Sequence, residues 1–384
     1  MVVVVIDVLD QRRPQPKINI TQFQGHQAMN SHPTRPRIGV IGGGHLGRIH
    51  AKLLAINPDC EFIGVADPSE HSRDLVHSQL NLSTVPNYQA WAETLDAAIV
   101  AAPTFLHHEI GTWCLIHGID VLMEKPIASS LREASKLVQL AQTNQRVLQV
   151  GHVERFNPAW MLAAKQLDFP SIRYVEAVRE GTYTGRSTDI GIVLDLMIHD
   201  IDLILSAIDS PVEHVNAFGW SVLGEHEDFA TANIRFKNGS VAQLRASRVS
   251  PVAKRHMQIY SEEGLTELDL AAGVVSTTFA VPDVANGKRQ ADQLSAELRS
   301  KVKDNLYVEW LNKQEYKAEP CNAIALEQNE FITAVTGNAS VTVSGEHGYR
   351  ALELATRILD EIDANKPARS VIPSAARFGQ SKAA

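Results

Sequence analysis

Residues 37–50 read RIGVIGGGHLGRIH, an apolar run that breaks into glycines and resumes with apolar residues at helical spacing. Gly42, Gly44 and Gly47 stand at the spacing G-x-G-x-x-G, which alone marks a tight turn as readily as a phosphate loop. The flanks separate the two. RIGVIG before the glycines has the length and character of a buried strand, and HLGRIHAKLLAI after them reads as a helix. The next apolar run, CEFIGVAD, ends at Asp67, 20 residues past Gly47. Strand, glycine turn, helix and a second strand closed by an acid form a dinucleotide-binding unit. The bare helix N-terminus at Gly42, Gly44, His45, Leu46 and Gly47 would receive a pyrophosphate, and Asp67 the adenosine ribose hydroxyls. An acid there repels a 2′-phosphate, so NAD is expected ahead of NADP, with Arg73 nearby tempering that preference.

Outward from this loop, helical and strand patterns alternate. SEHSRDLVHSQL, HHEIGTWCLIHG and LREASKLVQLAQTN read as helices; AAIVAAP, IDVLMEKP and RVLQVGH read as strands. Such alternation predicts an α/β fold with a doubly wound parallel sheet, a Rossmann domain over residues 36–152. Beyond it the texture changes to successive β-rich stretches: SIRYVEAVREG, VEHVNAFGWSVL, FATANIRFKNGSVAQLRASRV and RHMQIYSEEGLTELDLAAG. KNGS and EEG are hairpin signals between them. Helices are expected at NPAWMLAAKQL, VLDLMIHDIDLILSAI and GEHGYRALELATRILDEIDANK. Residues 153–370 are therefore expected to form a second α+β domain around a largely antiparallel open sheet, serving substrate binding and oligomerisation. Residues 282–304, polar with one helical pattern, read as an excursion or lid. The proline-broken stretch 1–35 and residues 371–384 read as tails, and Met29 offers an alternative start.

Composition narrows the class of function. Of 384 residues, 44% are apolar and 21% charged, the balance of a globular chain. A net charge of −8 argues against nucleic acid or anionic membrane as partner, leaving a small molecule. No apolar run approaches the ~20 residues of a membrane span, and MVVVVIDVLD lacks the basic flank of a signal peptide. Cys60, Cys114 and Cys321 form no C-x-x-C, as expected of reduced thiols in a cytoplasmic protein. The His107–His108 pair belongs to no metal-binding motif, so no metal is expected. The G-x-S-x-G and P-loop motifs of hydrolases and kinases are absent from the sequence.

Two further stretches carry chemistry. PTFLHHEIGTWCLIHGIDVLMEKP places Lys125 at the carboxyl end of a parallel strand, where ligands of open α/β sheets bind. GIVLDLMIHDIDL places Asp195 and His199 four apart, on one face of a helix that Leu194, Met197, Ile198 and Ile201 would anchor. Histidine is the side chain most easily poised to take a hydroxyl proton near neutral pH.

These stretches resemble the P-(N/T)-x-x-H…G-x-x-V-x-x-E-K-P and D-x-x-x-H-x-x-D signatures of the Gfo/Idh/MocA oxidoreductases, the second at Asp195, His199 and Asp202. With the glycine loop, the resemblance covers residues 37 to 205. It implies a dehydrogenase acting on a CH–OH group, with Pro103, Thr104, His107, Glu124 and Lys125 also lining the cofactor. It implies His199 as general base, Lys125 polarising the substrate oxygen and Asp195 orienting both, with the choice between His199 and Lys125 as proton acceptor, or a role shared by the two, left open. A cis Lys125–Pro126 peptide and a homodimer or homotetramer through residues 172–280 or so also follow from it.

VGHVERFNPAW, with DLMIHDID, resembles the branch that oxidises the 3-hydroxyl of UDP-N-acetylglucosamine. That implies substrate contacts from Arg155, Asn157, Asp195 and His199. Arg155, Arg179, Arg186 or Arg248 could meet a diphosphate, although a salt bridge is an equal reading of each. A dehydrogenase of a free polyol or sugar, of inositol or glucose type, remains an alternative. So does a non-catalytic NAD-binding regulator on the same fold, with an NAD-dependent glycosidase more remote.

Overall fold

The computed structural model describes residues 35–185 and 190–365. The expected tails, apart from Arg35, and the positions Met29 and Arg186 lie outside the described residues.

The N-terminal half alternates as β1 (Arg37–Ile41), α1 (His45–Leu54), β2 (Glu61–Ala66), α2 (Glu70–Leu80), β3 (Thr84–Val85), β4 (Ala97–Val100), α3 (Thr104–Ile116), β5 (Asp120–Glu124), α4 (Leu131–Thr143) and β6 (Leu148–Gly151). All its strands pair in parallel, in the order β3-β2-β1-β4-β5-β6. Helices on both faces explain the unbroken apolar runs: every residue of AAIV in β4 is buried. Strand order reverses between β1 and β4, which opens a crevice at their carboxyl ends, where the glycine loop lies. Ser69 and Ser130 start α2 and α4 by accepting backbone N–H bonds at Ser72 and Glu133.

The second half begins with α5 (Pro158–Ala164) and β7 (Ile172–Glu180). A π-helical turn (Val193–Met197) leads into α6 (Ile198–Ala207). Then come β8 (Val212–Trp220), β9 (Phe229–Phe236), β10 (Val241–Ser247), β11 (Lys254–Ser261), β12 (Gly264–Asp269) and β13 (Val274–Ala280). The polar excursion carries two short helices, α7 (Pro282–Ala285) and α8 (Ala296–Val302), before β14 (Leu311–Lys317). The eight strands run β14-β13-β12-β11-β7-β10-β9-β8. All pairs are antiparallel except β7 with β10. β7 lies in mid-sheet because the chain leaves it through α6 and returns at the far edge. Inside the excursion, Arg289 stacks on Trp310 at 4.7 Å and pairs with Glu309 at 3.2 Å.

One face of this sheet is sealed by α6 and by α10 (Gly345–Ala364). Ile198, Ile201, Ile204, Leu354 and Ile358 pack there on Val175, Ile234, Leu244 and Met257. The opposite face is open, leaving Phe218 42% and Trp220 52% exposed. The chain also returns to the first domain: α9 (Ala323–Val335) inserts Phe331, Ile332 and Val335 among Ile38, Val40, Leu54 and Leu122. A segment from beyond residue 153 thus packs into the core of the first sheet. Among the described residues no helix is long and apolar enough to cross a membrane.

Candidate active site

The three glycines have different tasks. Gly42 has φ +109°, and a Cβ on it would come within 2.5 Å of the Ala101 carbonyl oxygen at the end of β4. A Cβ on Gly47 would stand 1.8 Å from the Gly42 carbonyl oxygen. Both are required by the protein's own packing. Gly44 is different: a Cβ there meets nothing within 4 Å. The bare backbone makes room for something outside the chain, and α1 opens on it with no side-chain cap on its N–H groups. His45 and Leu46, exposed, form the first turn beside it.

Asp67 reaches into the same loop. One carboxylate oxygen accepts from Gly43 N–H at 2.7 Å and the other from Ser69 N–H at 2.8 Å. Each retains acceptor capacity for a ribose hydroxyl. Arg73 is held by the backbone, donating to the carbonyls of Asp67 and Pro68, both at 2.8 Å. Pro103 caps α3 and Thr104 begins it, on the β4 side of the crevice. These residues fit a dinucleotide.

His107 does not join that lining. It is 1% exposed, and its ring nitrogens face the carbonyl oxygens of Pro126 at 2.8 Å and Ala102 at 2.9 Å. Burial pushes its pKa down, against these two acceptors. The side chain braces the turn after β5 against the end of β4, a structural task in place of the expected cofactor contact. Glu124 also faces inward in part, with an oxygen 2.8 Å from His50 Nε2.

The Lys125–Pro126 peptide is cis. From the end of β5 the Lys125 ammonium crosses to the π turn, donating to the Asp195 carbonyl at 2.7 Å and to its carboxylate Oδ1 at 3.3 Å. The carboxylate of Asp195 thus orients Lys125, but it makes no hydrogen bond to His199. The wider π turn explains this, because residues four apart no longer stack along the axis. Burial, then the charges of Lys125 and Arg179, hold His199 well below the ordinary imidazole range. The ring is therefore neutral at physiological pH and able to accept a proton. His152, which the sequence did not single out, is buried edge-on to His199, ring centroids 6.4 Å apart.

Of the arginines expected at a diphosphate, the three among the described residues are committed elsewhere. Arg155 forks Asp202 at 2.6 and 3.2 Å. Arg179 forks Asp200 at 2.9 and 2.8 Å and meets Glu154 at 2.8 Å. Arg248 binds Asp228 at 2.6 Å and the Ile190 carbonyl at 3.0 Å. Asn157 is likewise spent: it caps α5 through Ala159 N–H at 3.0 Å and donates to Glu154 and the Leu270 carbonyl, both at 2.9 Å. Fixed-geometry pairs of this kind answer burial, so these four residues brace the site. The guanidinium left half-exposed is Arg255 on β11, 3.6 Å from Glu154 and close enough for its charge to help depress His199. Its signal in sequence, a basic residue opening a strand, is common to many surfaces.

A bare glycine loop at the switch point of a Rossmann sheet, facing a lysine, an aspartate and a neutral histidine, defines an NAD-binding oxidoreductase. The chain belongs to the Gfo/Idh/MocA family. Residues 36–152 match the family described as oxidoreductase, NAD-binding Rossmann fold, and residues 171–267 match its GFO/IDH/MocA C-terminal domain. A UDP-N-acetylglucosamine 3-dehydrogenase of Acidithiobacillus ferrooxidans is 30% identical over 85% of this chain and 97% of its own. Its solved structure superposes with a TM-score of 0.74 at 29% identity, covering 86% of this chain and 98% of that one. An inositol 2-dehydrogenase of Rhizobium meliloti is 23% identical over 83% of this chain and 94% of its own. The WlbA dehydrogenase from Bordetella pertussis, solved in complex with NADH and UDP-GlcNAcA, shares the fold with a TM-score of 0.70 at 18% identity, covering 86% and 96% of the two chains.

Proposed function

We propose that this chain is an NAD-dependent dehydrogenase that moves a hydride between C3 of a UDP-linked N-acetylhexosamine and the nicotinamide. The observation that carries it is the Lys125 ammonium, held by Asp195 at 2.7 and 3.3 Å on the carboxyl side of the sheet that bears the bare Gly44. NAD, held by Gly42–Gly47, Asp67, Pro103 and Thr104, supplies the hydride acceptor when bound. Lys125 donates to the substrate oxygen and steadies its negative charge as the C–H bond breaks. His199, half-buried beside cations and held neutral by that burial and their charge, takes the hydroxyl proton. Asp195 fixes where the ammonium points.

The 30% identity to a UDP-N-acetylglucosamine 3-dehydrogenase over nearly its whole length supports the substrate. Arg255, half-exposed near His199, takes the anion-binding part that Arg155, Arg179 and Arg248 do not. Remote binding of nucleotide and phosphate would place the sugar for reaction. The internal commitment of those three arginines favours a second reading, a neutral polyol of the kind named in the inositol 2-dehydrogenase relative. The open sheet face is the surface on which a second copy would pair into a homodimer or homotetramer.

NADH formation separates these readings, measured with UDP-N-acetylglucosamine, UDP-N-acetylgalactosamine, free N-acetylglucosamine, myo-inositol and glucose, with hydroxylamine trapping the ketone. Turnover of UDP sugars far above the free sugars is expected. Lys125→Met and His199→Asn should each lower kcat about 100-fold, the scale of a lost acid–base group. Turnover of inositol alone refutes the nucleotide-sugar assignment.

A further inference from the structure

Helix α9 brings to the cofactor domain a buried polar side chain that no step above uses. Gln328 Nε2 lies 2.8 Å from His50 Nδ1 and 3.2 Å from the His50 carbonyl oxygen. A carbonyl can only accept, so that glutamine atom is the amide nitrogen and donates to both. His50 Nδ1 therefore presents its lone pair, and the ring proton sits on Nε2. Nε2 in turn donates to Glu124 Oε1 at 2.8 Å, and Glu124 Oε2 accepts from the backbone N–H of Lys125 at 3.2 Å. Gly151 leaves the carboxylate just enough room: a Cβ there would stand 3.1 Å from Oε2. His50 and Gln328 are 0% and 1% exposed, so water does not compete for these bonds.

We infer that His50 is a positioning residue: as an Nε2–H donor locked in that tautomer by Gln328, it holds Glu124 in the placement that anchors the Lys125 backbone. Through this chain of hydrogen bonds, α9 sets the aim of the lysine at the end of β5. The inference rests on the assignment of Lys125 as the group that meets substrate. Burial would drive the Glu124 carboxyl up, and the hydrogen bond from His50, with the charge and backbone N–H of Lys125, holds it below the ordinary range. Facing it are His50 from α1, His107 from α3, His152 from the turn after β6, Glu327 from α9 and Lys125 beside it.

Two measurements on the full chain test this. With ¹⁵N-labelled histidine, long-range ¹H–¹⁵N spectra report ring tautomers without substrate, and the signal lost in His50→Gln identifies His50. An Nε2–H neutral ring is expected, relaxing to a mixture in Gln328→Leu. With NAD and UDP-N-acetylglucosamine, His50→Leu should lose about 10- to 100-fold in kcat, as displaced catalytic groups do. KM for the sugar should change little. Its kcat/KM should also fail at higher pH on the acid side, because Glu124 without His50 takes up a proton sooner. His50→Gln, whose amide nitrogen stands where Nε2 stood, should restore both kcat and the acid limb. If His50→Leu does not fold, Gln328→Leu serves, with a smaller loss. An Nδ1–H tautomer, or wild-type kinetics in His50→Leu and Gln328→Leu while Lys125→Met is dead, overturns the positioning role alone. An active Lys125→Met overturns the reading of the site and this inference with it.

Discussion

Gly44 and Gly47 lie three residues apart in one motif, yet they should fail in opposite ways when changed to alanine. At Gly44 the added methyl meets nothing of the protein within 4 Å. Its φ of −63° and ψ of −168° are extended backbone that alanine adopts freely. Losing glycine's freedom in the unfolded chain stabilises by about 0.4–1 kcal/mol. Alanine's poorer N-cap behaviour takes back a similar amount. Gly44→Ala should therefore melt within about 1 kcal/mol of the wild type. The same methyl occupies the space that a pyrophosphate needs over the helix N-terminus. Forcing one methyl into a close-packed contact costs about 1–3 kcal/mol, which is about 5- to 150-fold in Kd at 1.4 kcal/mol per decade. At Gly47 the methyl would lie 1.8 Å from the Gly42 carbonyl oxygen, so β1 and α1 must part and the fold itself suffers. NADH fluorescence titration beside thermal unfolding of the two variants gives both quantities. Wild-type NADH affinity in Gly44→Ala refutes the reasoning, as does a Gly47→Ala protein that melts like the wild type.

Three other outcomes are expected. His199, His152 and His107 are all held below the free-imidazole 6.5, burial being the first cause in each. Unfolding then takes up protons below that pH, so stability falls as pH drops from 6.5 toward the folded values. Urea midpoints at about pH 7.5 and about pH 5.5 should differ less in His199→Asn than in the wild type; an unchanged difference counts against a neutral His199 in the folded chain. Trp220→Glu on the open sheet face should shift the particle seen by light scattering toward one chain, and a wild type already monomeric at micromolar concentration removes the pairing proposal. Arg255→Ala should raise KM for the UDP sugar about tenfold or more, the scale of one charged hydrogen bond lost, and leave free N-acetylglucosamine unaffected. Equal effects on both substrates would show that Arg255 does not meet the phosphates.

The parts of this fold legible in sequence are those written in local pattern. The glycine loop could be read because strand, turn, helix and Asp67 follow one another within about thirty residues, the length of one βαβ unit. Lys125, Asp195 and His199 could be singled out because each sits in a dense motif, but the single helix face expected for Asp195 and His199 gives way to a π turn. β3 is two residues long and offers no period to detect. β14 pairs with β13 only across the excursion, so it has no adjacent hairpin partner to mark it. The π turn follows from tertiary demand, since nothing in VLDLM distinguishes it from ordinary helix. His50 and Gln328 meet across 278 residues, and only the packing of α9 on α1 joins them.

The same contrast explains why the arginines were legible as charges and not as partners. Asp200 and Asp202 flank His199 on both sides of the helix turn, and each is forked by an arginine from a different element: Arg179 from β7 and Arg155 from the turn after β6. Glu154, next to Arg155, closes the set on Arg179. Charges buried this deeply gain little net stability, because desolvation offsets most of their attraction. Their geometry, however, is directional. Two forked pairs fix the roll of α6 about its axis, and with it the direction in which His199 faces, relative to a sheet strand and to the segment that leaves the Rossmann domain. Lys125 arrives from the other side, just past the end of β5, and meets Asp195 one π turn earlier in the same helical stretch. On the proposed reading, His199 as proton acceptor and Lys125 as oxygen-polarising cation, carried by separate domains, can share one substrate oxygen only if both domains register on one element. The acidic positions around His199 supply that registration, so the motif D-x-x-x-H-x-x-D is as much a joint as a reactive group.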